Sequence, residues 1–256
     1  MHDKDRTLVI SDATQLHSPA TRRGFLRAMG LGGAVVLLPS VFAACRESTA
    51  PNADDQITAD YIRGQTVTLD LTTDVGIFNY AYALEQLEAA FYTQVTTASN
   101  FSTLFTSADE REALTDITND EVTHRQFLAR ALGSAAIPAL SVNFGSSLAS
   151  RDSVLNLAVT FEDVGVAAYN GAGKYLRNAN NLLVAGKIVS VEARHAAALR
   201  DIRAGGTGTA FADLSQLTAL GADVASARDV ALEPSQVLPL AAPYVTTPVA
   251  IGRQPT

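Results

Sequence analysis

Two histidines and the glutamates beside them carry the clearest chemical signal in this 256-residue sequence. Downstream of residue 45 the only histidines are His124 and His195, and each stands three residues after a glutamate, in Glu121-Val-Thr-His124 and Glu192-Ala-Arg-His195. Three residues are just under one helical turn, so each pair projects a carboxylate and an imidazole from the same helix face. Such a pair on each of two helices is half the ligand set of a dinuclear carboxylate centre in a helical bundle. The other half is one glutamate from each of two further helices.

An internal repeat supplies those glutamates. Leu84-Glu85-Gln86-Leu87-Glu88-Ala89-Ala90-Phe91-Tyr92 aligns with Phe161-Glu162-Asp163-Val164-Gly165-Val166-Ala167-Ala168-Tyr169, which superposes Glu85 on Glu162 and Tyr92 on Tyr169. The chain reads as two degenerate copies of a helical hairpin, each offering Glu and then Glu-x-x-His. The expected ligands are Glu85, Glu121, His124, Glu162, Glu192 and His195. Without metal this set would bury ionisable groups with no counter-charge, at several kcal/mol per ion. Glu88 shares the stripe of Glu85, but its repeat partner is Gly165, which leaves three readings open: an extra ligand, a proton carrier or a surface residue. Tyr92 and Tyr169, a turn beyond that stripe, read as core residues or as hydrogen-bond donors to the ligands rather than as radical sites. Arg125 and Arg194 adjoin ligands in sequence and are assigned no catalytic role.

Positioning these groups requires four helices. Apolar residues at helical spacing predict one from Asp74, expected as its N-cap, to about Ala98. A second opens at Ser107, where Ser107 and Glu110 have capping-box spacing, and closes at Gly133. A third runs from about Arg151 to Arg177, and a fourth follows the Asn178–Asn181 turn and ends near Arg203. Residues 134–150, with Pro, Gly and five serines, read as one long connection. A helix of 24 residues is about 36 Å long, and 17 extended residues reach up to about 56 Å. The connection can therefore run the length of a bundle, as the crossover between two antiparallel hairpins requires.

The segments ALEQLEAAFY, DEVTHRQFLARALG, FEDVGVAAYNGAGKYL and VEARHAAALR resemble the bacterial ferritin-like domain family, which is related to plant desiccation-related proteins. The likeness covers roughly residues 72–203 and part of the tail that follows. It implies an all-α, ferritin-like four-helix bundle, export and a dinuclear metal centre, and leaves the reaction open.

The first 45 residues read as an address. Thr21-Arg22-Arg23-Gly24-Phe25-Leu26 precedes an apolar run that ends in Val41-Phe42-Ala43-Ala44-Cys45. Paired arginines, an apolar stretch and small residues before the sole cysteine resemble a twin-arginine export signal with a lipobox, which would acylate Cys45. Localisation is accordingly expected in the periplasm or cell envelope, held by a lipid anchor. Residues 46–73 read as a tether and 74–203 as the bundle. Residues 204–256, a loop and a Pro-rich tail, are expected to pack along the bundle or, in a homo-oligomer, against a second copy. A single cysteine excludes an internal disulfide. A net charge of −7 argues against nucleic acid as a partner.

Carboxylate and imidazole suit iron, manganese and zinc alike. Export in the folded state would let the protein acquire metal in the cytoplasm, which puts two iron ions first and manganese second. Two functions compete on these residues. One is a di-metal oxidoreductase, ferroxidase or peroxidase-like, acting with O₂ or peroxide. The other is a non-enzymatic envelope protein for stress protection or scaffolding, in which the metal is structural or absent.

Overall fold

The structure is a computed structural model that describes residues 66–255 and, nearer the start, the backbone of two short strands, β1 (Leu8–Ile10) and β2 (Val35–Leu37), which pair in parallel. Arg22, Arg23, Cys45 and tether residues 46–65 lie outside the described residues. No helix among the described residues is long and apolar enough to cross a membrane.

Four helices form the body: α1 (Asp74–Thr97), α2 (Ala108–Leu132), α3 (Arg151–Ala172) and α4 (Ala179–Arg203). Each opens on a side-chain cap that satisfies a free backbone N–H. Thr73, Ser107, Ser150 and Asn178 accept from Gly76, Glu110, Ser153 and Asn180 respectively. Thr73, in extended conformation, is thus the cap expected at Asp74. The Asp74 carboxylate instead reaches across the bundle and accepts from the amides of Arg177 and Asn178 and from Asn181 Nδ2, at 2.9 to 3.0 Å. It thereby fixes the start of α4 beside the start of α1. Glu110 is likewise diverted from its expected capping box. Its carboxylate receives Arg151 Nη2 at 2.6 Å and Nε at 3.0 Å, a two-point contact that ties α2 to α3. The α3 helix ends before the expected Arg177, because Gly173–Tyr175 tightens into a 3₁₀ turn and Leu176 is extended.

The connection between α2 and α3 lies along α1. Asn79 and Gln86, two turns apart on α1, act as rungs. Asn79 exchanges hydrogen bonds with Ala135 O and Ile137 N, and Gln86 with Pro138 O and Leu140 N. The side-chain amides satisfy backbone groups that an irregular segment would otherwise bury unpaired. Phe91, fully buried, makes edge-to-face contacts with Phe144 of this crossover and Phe161 of α3, at centroid distances of 5.3 and 5.2 Å. Phe161 in turn meets Tyr244 of the tail at 5.2 Å.

Two segments are more regular than their composition suggests. Residues 67–70, expected within the tether, form β3 (Val67–Asp70). The Pro-rich tail contains helix α5 (Pro234–Ala241) and strand β4 (Val249–Arg253), which pairs in parallel with β3. The tail is seated on α3, where Leu232 N donates to Ala167 O at 3.0 Å and Asn170 Nδ2 donates to Val230 O. A Cβ at Gly171 would stand 1.8 Å from Leu232 O, so only glycine allows this approach.

Candidate metal centre

Helical register brings all six expected ligands to one place at mid-bundle. Glu85 comes from α1, Glu121 and His124 from α2, Glu162 from α3, and Glu192 and His195 from α4. The four carboxylates are fully buried, and His195 is 6% exposed. Their ligand atoms fall into two overlapping groups, Glu85–Glu121–His124–Glu192 and Glu121–Glu162–Glu192–His195, each with its atoms within 4.8 Å of one another. Glu121 and Glu192 belong to both.

The two oxygens of Glu121 face in opposite directions. Its Oε2 lies 3.5 Å from His124 Nδ1, and its Oε1 lies 2.9 Å from His195 Nδ1. His124 Nδ1 is also 3.0 Å from Glu192 Oε1 and 3.5 Å from Glu85 Oε2, while His195 Nδ1 is 3.4 Å from Glu162 Oε2. None of these close contacts has hydrogen-bond alignment. Among the described residues, both oxygens of Glu121 and of Glu192, Oε2 of Glu85 and of Glu162, and Nδ1 of each histidine are buried without a hydrogen-bond partner. Buried polar atoms are paired almost without exception, and an unpaired one is costly. Eight inward-pointing orphans in one cluster are what cations would satisfy, and the oxygen and imidazole donor set suits iron, manganese or zinc.

The remaining oxygen of each end glutamate is already occupied. Tyr92 on α1 donates to Glu162 Oε1 on α3, and Tyr169 on α3 donates to Glu85 Oε1 on α1, both at 2.5 Å. Burial first, and then the neighbouring carboxylates, pushes both phenols well above their ordinary pKa, so they stay protonated donors. The exchange follows the internal repeat: each hairpin's tyrosine holds the other hairpin's glutamate.

Electrostatics differ sharply among the carboxylates. Burial raises Glu85 to about 7, against the pull of His124 and Tyr169. Burial and the surrounding carboxylates push Glu192 well above the usual range. Glu121 goes the other way: although burial opposes it, the two imidazoles beside it hold it at about 2. Burial disfavours the charged imidazoles, yet the carboxylates outweigh it. Glu121 and Glu162 carry His195 up to about 11, and Glu121, Glu192 and Glu85 carry His124 higher still. In the metal-free cluster, protons therefore occupy the charge positions that metal would take.

Two further groups belong to the site. Glu88 is 4% exposed, which removes the surface reading of that residue. Asp120 Oδ2 stands 3.1 Å from His195 Nε2 and was not singled out by the sequence pattern. Its only signal is its position immediately before Glu121 on a helix whose partner carries the other histidine. Residues 73–204, just over half of the chain, match a family model described as a ferritin-like domain. No curated protein matches the chain.

Proposed function

Because the chain belongs to the ferritin-like domain family, we propose that its Glu/His cluster holds two iron ions, with manganese as the second choice, and serves in oxidoreduction of Fe(II) with O₂ or peroxide. The observation that carries this reading is the pair of overlapping four-residue groups sharing Glu121 and Glu192, with all their inward atoms unpartnered. Glu85 and His124 would hold one ion, Glu162 and His195 the other, and Glu121 and Glu192 would bridge. Two such ions, when bound, supply the one-electron steps that Fe(II) oxidation and peroxide reduction need.

The protein's own residues set the conditions for that chemistry. Tyr92 and Tyr169 fix the end glutamates, so the carboxylates meet a cation preorganised and need not be ordered by it. Leu84, Leu128 and Ile188 border a hollow beside Tyr169 that is almost wholly apolar. Such a lining favours a small uncharged oxidant over a charged organic substrate. Five of the six groups, all but Glu121, have raised pKa values, so the cluster holds protons that it would release on metal uptake.

Export with a lipid anchor at Cys45 is part of the proposal, on the support of the Arg22-Arg23 pair and the small residues before the cysteine. The deciding experiment reconstitutes the mature protein anaerobically with Fe(II), counts bound metal, and then follows O₂ consumption on adding excess Fe(II). Two ions per chain with catalytic O₂ uptake support the proposal. One ion or none overturns the dinuclear site. Two ions without turnover overturn the enzymatic role in favour of a metal-stiffened scaffold.

A further inference from the structure

The two halves of the repeat differ at one position that faces the metal cluster: Glu88 in the first stands where Gly165 is found in the second. These two residues meet. A Cβ built on Gly165 would stand 3.0 Å from Glu88 Oε1 and 3.3 Å from Glu192 Oε2, so both oxygens border the gap that the glycine leaves. A methyl there would require Glu88 or Glu192 to give by a few tenths of an ångström, so the glycine leaves both carboxylates room to stand where they do.

Glu88 is buried, and no hydrogen bond reaches its carboxylate among the described residues. No Lys or Arg pairs with it either; the charges that bear on it are those of Glu192, Glu121, Glu162 and Glu85. A carboxylate buried beside four others, with no Lys or Arg paired to it among the described residues, stands where its charge is disfavoured unless a cation joins it. Its other side faces a small hollow between α1, α3 and α5, lined by Leu87, Phe161 and Leu240, the last 39% exposed. Glu88 thus borders both this hollow and the space beside Gly165 that Glu192 Oε2 also faces.

We propose that Glu88 is a further carboxylate donor of the metal centre, admitted by Gly165 on the Glu192 side. The inference rests on the dinuclear reading above and extends it. Four glutamates balance two divalent cations, so Glu88 would add one negative charge only by giving up its proton as a cation binds. That surplus favours a cation of higher charge in the ion pair, or attracts a cation arriving through the α1–α3–α5 gap.

The test titrates Co(II) into the metal-free full-length protein, its Glu88→Gln and Gly165→Ala variants, and the double variant, reading affinity by calorimetry and ligand field by visible absorption. Two Co(II) per chain are expected in the parent. Glu88→Gln, nearly isosteric, is expected to keep two sites, weaken at least one by about tenfold, and change the visible spectrum. Gly165→Ala, which crowds Glu88 and Glu192, is expected to weaken binding in the parent background. In the double variant the loss is expected to fall short of the sum of the two single losses, since Glu88 is one of the two groups that the methyl would meet. Unchanged affinity and spectrum in Glu88→Gln, with the parent binding two ions, would overturn this proposal and leave the dinuclear reading standing. A parent that binds no Co(II) would overturn both.

Discussion

Asp120 Oδ2 lies 3.1 Å from Nε2 of His195, whereas no hydrogen bond reaches the ring of His124 among the described residues. A carboxylate oxygen accepts from the ring N–H at Nε2, so Nδ1 is the ring atom turned toward Glu121 and Glu162, and the one a cation would take in place of its proton. The two halves of the cluster are therefore unequal by one orienting group.

Asp120→Ala is expected to weaken the site that contains His195, and not the one that contains His124. The carboxylate is more than half exposed, so the loss should be about tenfold, the low end for groups that orient a metal-bound histidine. Stepwise calorimetry of metal binding would show one of two affinities falling. Equal weakening of both, or of neither, would remove Asp120 from the site.

Glu121 and Glu192 should behave oppositely without metal and alike with it. Glu121 is held ionised by two imidazoles, so Glu121→Gln is expected to lower the melting temperature of the metal-free protein. Glu192 is pushed well up by burial and its like-charged neighbours, so Glu192→Gln is expected to raise it. Both are shared between the two groups, and either change should abolish the two-ion stoichiometry. Differential scanning calorimetry with and without metal tests all three statements.

The metal-free protein is expected to lose stability as pH rises. Burial holds Glu85 at about 7 against an ordinary 4.5, so the fold favours its acid form, and that contribution is lost as pH climbs through this interval. His195, carried by its carboxylates to about 11 despite burial, adds stability that is complete below its ordinary 6.5 and declines as pH approaches 11. Both act in the same direction. Denaturant midpoints should fall from about pH 5 to about pH 8 without metal. Metal requires deprotonated ligands, so its affinity should rise over the same span, with proton release visible to an indicator dye.

The clustering of the six side chains was legible because helical period converts sequence spacing into a shared face, and because the repeat names the partner of each residue. What lay beyond that reading has one physical character: it depends on which surfaces meet. Asp120 points away from its own helix's ligand stripe and matters only because α4 brings His195 to it. Glu88 is buried against α3 beside Gly165, a neighbour that its own helix's pattern does not name. Strands β3 and β4 are four and five residues long and separated by most of the chain, too short for a local pattern to announce. The shift of the cap from Asp74 to Thr73 has the same origin, since the Asp74 carboxylate is claimed by α4.

The export proposal is checked by fractionation. Cys45→Ser is expected to move the protein from the membrane to the soluble envelope fraction, and Arg22→Lys with Arg23→Lys to retain it in the cytoplasm. Unchanged distribution of either variant would remove the corresponding signal.

The pairing of β3 with β4 also has a mechanical meaning. Val67, Thr68 and Leu69 lie beside Val249, Ala250 and Ile251, with flanking bonds from Val67 N to Pro248 O and from Leu71 N to Arg253 O. Tension arriving along the chain ahead of residue 66 would pull β3 lengthwise past β4. The bonds between the two strands would have to give before that pull passed on to α1. The clasp stands in series before α1, so a tug that reaches it would be resisted there before Glu85 could be drawn out of register with its partners.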